Sequence, residues 1–415
     1  MRLPPARLES VLLLLPVTLL IGTNVPFLEA GGRALSIGTN ELVLALLVGG
    51  LCARWLRGCR FPPLPRNLML AVGLYSLLLP LSLIVNIFET GDLPASSAWV
   101  EVIRWYEYLP ILPAIFWLVK SNRQTQTILK IAGFFTLLNV VVALYQAATF
   151  DVSVSRVYGL FVTAANRAGD SVSNPNVLGS VFMGAALFFL AFALTQTGRN
   201  RACNLFFTGF SVVAMTLSLS RSAMIGFLVG VVVLSFFYRE QRRLFLAIGL
   251  TSLLTLAVTV VVSDMVLTRL LNTLQLSSGT VDANGVVDRY SNWSFMFWRA
   301  LDSPIFGLGY GDILRRTDYI YTTADNYYVE VFATMGVLGL LGLTNLFWNV
   351  AAPAARARIA PGTFAYMVKC GFLACFAAFM ADSFAAGLLM DPRLMGLFWL
   401  LTGLAHQTVR INAEE

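Results

Sequence analysis

Apolar runs recur along this chain from its first residues to its last. Hydrophobic residues make up 57% of the 415 residues, and charged residues make up only 12%. A soluble chain carries about 25% charged residues, because it needs a polar surface. A helix of about 20 apolar residues is long enough to cross the hydrocarbon core of a bilayer. The sequence therefore predicts an all-α polytopic integral membrane protein, and it excludes disordered, collagen-like, coiled-coil and secreted disulfide-rich classes.

We predict about twelve transmembrane helices from the stretches that are long enough to span a bilayer. Their approximate ranges are 9–28, 39–57, 67–88, 97–119, 128–149, 175–196, 202–219, 222–238, 244–263, 327–350, 363–385 and 390–409. The chain 1–415 is then a single membrane domain with two long outer segments, 150–174 and 264–326, the second of which carries short amphipathic helices. Function is expected in these outer segments, since loops on a rigid scaffold commonly carry it.

Basic residues occupy every second loop between the predicted spans. These sets are Arg54, Arg57, Arg60 and Arg66; Lys120, Arg123 and Lys130; Arg199 and Arg201; Arg239, Arg242 and Arg243; and Arg356 and Arg358. Because Lys and Arg collect in cytoplasmic loops, this alternation predicts both termini in the cytoplasm and the long segments outside it. The net charge of +7 has the same origin, so it does not indicate a nucleic-acid partner.

The cysteines and the single histidine exclude several kinds of site. All five cysteines fall inside or at the cytoplasmic ends of apolar spans, so no disulfide framework is predicted. His406 is the only histidine and lies in the last span. A histidine cluster for zinc and a Ser-His-Asp triad are therefore excluded.

Arginines on the predicted outer side are the informative charges, since the insertion rule disfavours them there. They are Arg156, Arg167, Arg221, Arg269, Arg289, Arg299, Arg315 and Arg316. For Arg299, Arg315 and Arg316 we favour ordinary surface ion pairs with acidic neighbours such as Asp302. The other interpretation is an anion site, because guanidinium groups bind phosphate in a bidentate manner. Arg221 is the best candidate, since it lies in a polar break, Ser218–Ser222, between two apolar helices, where a charge is costly.

A surface helix is predicted over 288–301, in the large outer segment. Its apolar face carries Tyr290, Trp293, Phe297 and Leu301. This helical spacing predicts that the aromatic face lies in the membrane interface, with Arg289 near the N-terminal end of the helix. Pro304 ends the helix, and the glycines of 306–311 then allow a tight turn.

Two polar segments begin apolar spans. Asp325 and Asn326 open the tenth span, where they would cap its outer N-terminus. Asp325 is equally suited to hold or deprotonate an acceptor hydroxyl, and both roles remain open. The Asn174-Pro175-Asn176 segment fits a helix start with proline at the first position, and Arg167 just upstream is a candidate for a sugar site. Glycines within the tenth span, such as Gly336, are expected to allow close helix packing.

Four segments occur in the order, and on the predicted side of the membrane, that one known family shows. They are Asn174–Asn176; Leu217–Ala223; Arg289–Trp293 with Ala300, Pro304 and Phe306–Gly311; and Asp325-Asn326 with Gly336 and Gly339. Through them, the region 170–345 resembles the Wzy/WaaL superfamily, the O-antigen polymerases and O-antigen ligases, which are polytopic GT-C-type transferases. Residues 1–150 match that family only in forming hydrophobic spans.

The resemblance implies a donor and an acceptor glycan on undecaprenyl pyrophosphate, a bacterial inner-membrane location and a site on the periplasmic face. It implies no metal ion or cofactor, because arginines can neutralise the charge of a pyrophosphate leaving group. It also implies a chain-length co-polymerase as a protein partner. The catalytic residues predicted in this way are Arg221, Arg289 and Asp325. Substrate contacts are predicted for Arg156, Arg167, Asn174, Asn176, Tyr310 and Asn326.

One position departs from the ligases, which have His-Asn where this chain has Asp325-Asn326. The departure favours a polymerase, in which Asp325 orients or deprotonates the acceptor hydroxyl. The alternative is a ligase that moves a finished glycan to lipid A-core or to another acceptor. A transporter of polysaccharide or lipid-linked substrate is the rival from another class. Carriers place polar groups at the bilayer midplane, whereas the unusual polar residues of this chain gather at the predicted outer surface.

Overall fold

A computed structural model gives the architecture of the chain. It describes residues 7–20, 24–30, 33–94, 96–149, 175–218, 220–241, 245, 248–249, 286–310, 326–384 and 391–414. The predicted outer loop 150–174 and nearly all of the predicted ninth span, 244–263, lie outside the described residues. Parts of the large outer segment 264–326 also lie outside them.

Helices follow one another along the described chain. They are α1 (Arg7–Leu20), α2 (Thr39–Leu56), α3 (Arg66–Thr90), α4 (Ser96–Tyr108), α5 (Ile111–Leu118), α6 (Asn122–Thr149), α7 (Pro175–Thr195), α8 (Gly198–Leu217), α9 (Arg221–Phe237), α10 (Val286–Ala300), α11 (Tyr327–Arg356), α12 (Phe364–Asp382) and α13 (Pro392–Glu414). A short 3-10 helix covers Arg239–Gln241, and two strands, β1 (Asn24–Ala30) and β2 (Arg33–Gly38), form an antiparallel hairpin.

The predicted all-α membrane class is confirmed, with the hairpin as a small addition. Within the described ranges, six helices are long and apolar enough to cross a membrane, namely α2, α3, α6, α7, α11 and α12. Helices α1 and α9 are apolar but shorter. The chain is therefore a multi-pass membrane protein.

Two predicted spans differ from the structure in detail. The first, 9–28, is helical only as far as Leu20 and continues into the hairpin, whose joining sequence Gly31-Gly32 is typical of tight turns. The fourth, 97–119, consists of α4 and α5. Proline interrupts a helix because it has no amide hydrogen to donate, and Pro110 precedes α5 at this break.

Helix ends with basic residues gather at one end of the bundle. The start of α6 meets the start of α1 there, where Gln124 Nε2 donates to Glu9 Oε2 at 3.2 Å. Lys120, which precedes α6, lies within electrostatic range of Arg410 near the end of α13 and of Arg54 near the end of α2. Burial, and then the charge of Arg410, lowers the pKa of Lys120. We call this the basic end, and we call the opposite end the site end.

Large buried side chains connect helices from both halves of the chain. The Trp105 ring on α4 packs edge-on against Tyr75 of α3 and Trp399 of α13, with ring centroids 5.0 and 5.7 Å apart. The Trp105 indole nitrogen donates to Ser76 Oγ at 2.8 Å, so its polar atom is paired inside the bundle. These contacts hold α3, α4 and α13 together.

Glycines bring α9 and α12 into backbone contact. A Cβ atom at Gly226 would lie 2.7 Å from the carbonyl oxygen of Ala378, and one at Gly230 would lie 3.1 Å from that of Ala374. Small residues permit this kind of approach between membrane helices. Because the two helices run antiparallel, the start of α9 is held beside the end of α12.

Candidate functional site

The polar break between α8 and α9 is confirmed, and it packs directly on α7. Ser220 caps α9, because its side-chain oxygen accepts a hydrogen bond from the amide of Ala223 at 3.4 Å. A Cβ atom at Gly179 of α7 would lie 2.7 Å from Ser220 Cβ and 2.8 Å from Ser218 Oγ. Only glycine allows this approach, so the first turns of α7 and the start of α9 are in contact.

A buried carboxylate at the end of α12 joins these two helix starts. Asp382 is 0% exposed, and the Ser180 hydroxyl on α7 donates to its Oδ2 at 2.5 Å. Ser222 in the first turn of α9 lies close enough to interact with the same carboxylate. The sequence analysis did not single out Asp382. The signal that could have identified it is an acidic residue within the predicted apolar span 363–385, since ionisable residues in membrane spans commonly belong to functional sites.

The start of α11 lies beside the same end of α12. Asn326 caps α11 as predicted, because its Oδ1 accepts hydrogen bonds from the amides of Tyr328 and Val329 at 3.0 and 3.2 Å. The Tyr327 amide donates to the Ser383 carbonyl oxygen at 2.9 Å, and the Tyr328 hydroxyl donates to the Met380 carbonyl oxygen at the same distance. The beginnings of α7, α9 and α11 therefore meet around the end of α12.

Helix α11 is interrupted at Gly336, whose backbone angles are φ 63° and ψ −159°. The turn that follows α10 inserts its backbone into this interruption. The hydrogen bonds run from Leu308 N to Ala333 O at 2.8 Å, from Gly309 N to Thr334 O at 3.0 Å, from Val337 N to Pro304 O at 2.9 Å and from Leu338 N to Ile305 O at 3.3 Å. Non-helical backbone at membrane depth is tolerated only where protein or a water-filled cavity surrounds it. The sequence predicted Gly336 as a packing glycine, whereas in the structure it is the point where the helix breaks.

Two glycines make this insertion sterically possible. A Cβ atom at Gly336 would lie 2.3 Å from the carbonyl oxygen of Ile305. One at Gly307, whose φ is 74°, would lie 2.3 Å from the Met335 amide nitrogen. The tight turn predicted in 306–311 is thus present up to residue 310, and it interlocks with the broken helix.

Helix α10 packs on the first part of α11, on the near side of the interruption. Met296 and Ala300 are buried against Ala333, and the rings of Phe297 and Phe332 have centroids 5.5 Å apart. The packed face of α10 and the inserted turn together attach this helix to α11. The segment that carries Arg289 is therefore anchored to the helix that begins at Asn326.

The predicted aromatic face of α10 is only partly exposed. Phe297 and Leu301 are 45% and 43% exposed, whereas Trp293 is half-buried against the packed face. The predicted surface ion pair is confirmed for Arg299, whose guanidinium lies 3.2 Å from Asp302 Oδ2. The location of the exposed aromatic side chains in the membrane interface stays a prediction.

Buried tyrosines gather between α3, the start of α11 and the inserted turn. The hydroxyl oxygens of Tyr75 and Tyr327 lie 3.0 Å apart, and the Tyr310 amide donates to Ser82 Oγ at 3.1 Å. Burial, followed by the nearby Tyr327 and Glu330, raises the pKa of Tyr310 well above its usual range. The Tyr310 hydroxyl therefore stays protonated. Tyr310 is a predicted substrate contact, and in this structure its side chain is buried.

The structure brings three predicted site segments together. Arg221 is the exposed first residue of α9, Asn176 lies in the first turn of α7, and Asn326 caps α11. All three helix starts contact the end of α12. Arg289 lies in the first turn of α10, which packs on α11. The remaining predicted residues, Arg156, Arg167, Asn174 and Asp325, lie outside the described residues.

The segment that contains the α8–α9 break, α10, the inserted turn and most of α11 matches a known family model. The family is described as O-antigen ligase, and the match covers residues 206–344. This segment is similar to the domain of that family, and the match supports membership of the Wzy/WaaL superfamily without distinguishing a ligase from a polymerase. The resemblance inferred from the sequence is therefore confirmed for residues 206–344, whereas the start of the region at residue 170 stays a prediction. No curated protein matches the chain.

The family match defines the activity at a coarse level. The domain belongs to multi-pass membrane proteins with glycan-transferring activity of the ligase or polymerase type, and their substrates are lipid-linked glycans in a bilayer. The chain-length co-polymerase implied by the resemblance stays a prediction.

Proposed function

We propose that this protein is a membrane glycosyltransferase that polymerises repeat units of a surface polysaccharide, an O-antigen or exopolysaccharide. Both substrates are glycans linked to undecaprenyl pyrophosphate, and transfer inverts the anomeric centre without a metal ion. The observation that carries the proposal is the meeting of the helix starts of Asn176, Arg221 and Asn326 around Asp382. Residues far apart in sequence thereby supply one polar site at the end of an apolar bundle.

The donor diphosphate is bound by Arg221 and Arg289 in this proposal. Each arginine lies in the first turn of a helix, α9 and α10 respectively, where free amide groups and the helix dipole favour an anion. Arg221 is exposed at this position. In general, a guanidinium group forms bidentate hydrogen bonds to phosphate oxygens. Two arginines can therefore stabilise the negative charge of the leaving group.

The transfer step conserves atoms and electrons. A sugar hydroxyl of the acceptor unit attacks the donor anomeric carbon from the face opposite the diphosphate. The new glycosidic C–O bond forms as the bond between the anomeric carbon and the diphosphate oxygen breaks, which inverts the configuration. The hydroxyl proton passes to the Asp325 carboxylate, and undecaprenyl pyrophosphate leaves with the electron pair.

The proposed orientation of the protein in the membrane follows from the basic residues at one end of the bundle. Basic residues collect in the cytoplasm when membrane proteins insert, so the basic end and both chain termini are assigned to the cytoplasm. The site end then faces the periplasm across the bacterial inner membrane. Lipid-linked repeat units on the periplasmic side would reach the site from the bilayer.

A ligase is the second candidate, because the matching family is described as O-antigen ligase. The family resemblance gives ligases a histidine at the position of Asp325. The single histidine of this chain, His406, is buried, and its Nε2 lies 2.8 Å from the Val350 carbonyl oxygen in the half of α11 near the basic end. This position favours the polymerase. Product length separates the two, since a polymerase lengthens lipid-linked glycans, whereas a ligase moves them unchanged to another acceptor.

Substitution of the two arginines tests the proposal. Arg221→Ala and Arg289→Ala are each expected to lower polymer formation by roughly 10²- to 10³-fold, the usual effect of removing a group that stabilises developing charge. Arg299→Ala is the matched control, because Arg299 lies on the same helix as Arg289 but forms an exposed ion pair. Membrane insertion should be normal in all three variants. A wild-type product ladder from both Arg221→Ala and Arg289→Ala would refute the assignment.

A further inference from the structure

A cavity of about 480 Å³ lies among α6, α7, α8, α12 and α13. This volume falls within the range of about 300–1,000 Å³ that is typical of small-molecule sites. None of the described residues of the candidate site lines the cavity. Its chemistry therefore requires a separate explanation.

Most of the cavity wall is apolar. It includes Phe188, Phe189, Phe192, Phe207 and Phe364. Phe134 of α6 also lines it, and this side chain is 56% exposed. The cavity thus reaches the outer surface of the bundle, so that a hydrocarbon chain can enter it sideways from the bilayer.

The mouth of the cavity at the basic end is polar and cationic. Lys130 and Gln126 of α6 line it opposite Gln196, Asn200 and Asn204. The Asn204 amide nitrogen donates to Gln196 Oε1 at 2.7 Å, which holds these two amides in place. As far as the structure describes the lining, it contains no Asp or Glu.

Further positive charge lies beside the mouth. Arg199 and Arg201 flank Asn200 in the sequence at the start of α8. Basic pockets between transmembrane helices on the cytoplasmic side are a recurring form of binding site for anionic lipid head groups. An apolar interior beneath a cationic polar mouth therefore matches the two ends of one phospholipid.

We propose that this cavity binds one phospholipid with an anionic head group, taken from the leaflet at the basic end. One acyl chain occupies the phenylalanine-lined interior, and the head group pairs with Lys130 and the amides of the mouth. The undecaprenyl substrate is the less suitable occupant, because its diphosphate is needed at the site end, whereas this mouth opens at the basic end. The match between the cavity and a phospholipid follows from the lining alone, and only the exclusion of the undecaprenyl substrate rests on the proposed function.

Lipid retention by the purified full-length protein tests the proposal. The protein is stripped of lipid in detergent, supplied with phosphatidylglycerol or phosphatidylcholine, and analysed by native mass spectrometry. We expect one tightly retained phosphatidylglycerol and clearly weaker retention of phosphatidylcholine. Lys130→Ala should weaken phosphatidylglycerol binding about fivefold, since a basic residue near an anionic head group contributes about that factor. Arg358→Ala is the matched control, because Arg358 is an exposed basic residue at the same end that does not line the cavity.

A second variant tests the interior of the cavity. A Cβ atom at Gly133 would lie 3.1 Å from the Phe189 ring, so the larger side chain of Gly133→Leu should occupy the acyl-chain position. This variant is expected to lose retention of both phospholipids. Equal retention of the two phospholipids, unchanged by Lys130→Ala, would overturn the proposal. Displacement of phosphatidylglycerol by undecaprenyl phosphate would overturn it as well, since it would assign the cavity to the substrate chain.

Discussion

Replacement of Gly336 by alanine is expected to detach the inserted turn from α11. The Gly336 backbone angles, φ 63° and ψ −159°, are essentially restricted to glycine, and alanine there costs about 1–3 kcal/mol. The new Cβ atom would also lie 2.3 Å from the Ile305 carbonyl oxygen. One clashing atom is a Cβ atom and the other is a backbone carbonyl oxygen. Neither moves when a side chain changes rotamer, so such a change cannot relieve the contact. The turn itself must move.

Movement of the turn breaks the backbone hydrogen bonds that fill the interruption in α11. Each contributes about 1 kcal/mol net, so loss of the four between the turn and α11 costs about 4 kcal/mol. With the backbone strain, the total effect is at most about 7 kcal/mol. A protein domain is stable by only about 5–15 kcal/mol, so local detachment of the turn is the expected response.

Limited proteolysis and product sizing measure this effect. Gly336→Ala should insert into the membrane, be cleaved faster between residues 300 and 310, and lose most glycan transfer, because α10 and its Arg289 are no longer held against α11. Gly73→Ala is the control, since Gly73 is a glycine of α3 where a Cβ atom would meet nothing within 4 Å. Wild-type protease resistance together with a wild-type product ladder from Gly336→Ala would refute the reasoning.

Three further substitutions address the meeting point of the helices. Asp382→Ala should destabilise the protein by about 1–3 kcal/mol in thermal unfolding, because the buried Ser180 hydroxyl loses its acceptor, and an unchanged melting temperature would contradict this. Asn326→Ala should cost about 1 kcal/mol through loss of the cap of α11, and hydrogen exchange at the Tyr328 amide should rise; unaltered exchange would contradict this. Asp325→Asn should abolish transfer while leaving melting unchanged, and full turnover would show that Asp325 is not the base.

The sequence predicted those parts of the fold that depend on local chemistry. The break at Ser218–Ser222 was predictable, because consecutive polar residues interrupt an apolar run. The helix start at Pro175 and the cap at Asn326 follow from residue preferences at helix ends. Each of these features depends on a few adjacent residues, and the structure confirms all three.

Features that depend on distant contacts were not predictable in this way. The interruption at Gly336 exists because the turn around Gly307 supplies hydrogen-bonding partners from another part of the chain. Hydropathy records only one long apolar run there. The role of Asp382 likewise depends on Ser180 and Ser222, which lie on two other helices. In membrane helices with similar apolar surfaces, periodicity does not specify which helix faces which.

Sizing of lipid-linked products is the most direct test of the central claim. Purified protein is incubated with undecaprenyl-pyrophosphate-linked repeat units in the presence of a metal chelator, and the lipid-linked glycans are separated by length. The proposed polymerase predicts a ladder at multiples of one repeat unit, absent from Arg221→Ala and retained by Arg299→Ala. Glycans of unchanged length, from active protein and authenticated substrate, would contradict the polymerase.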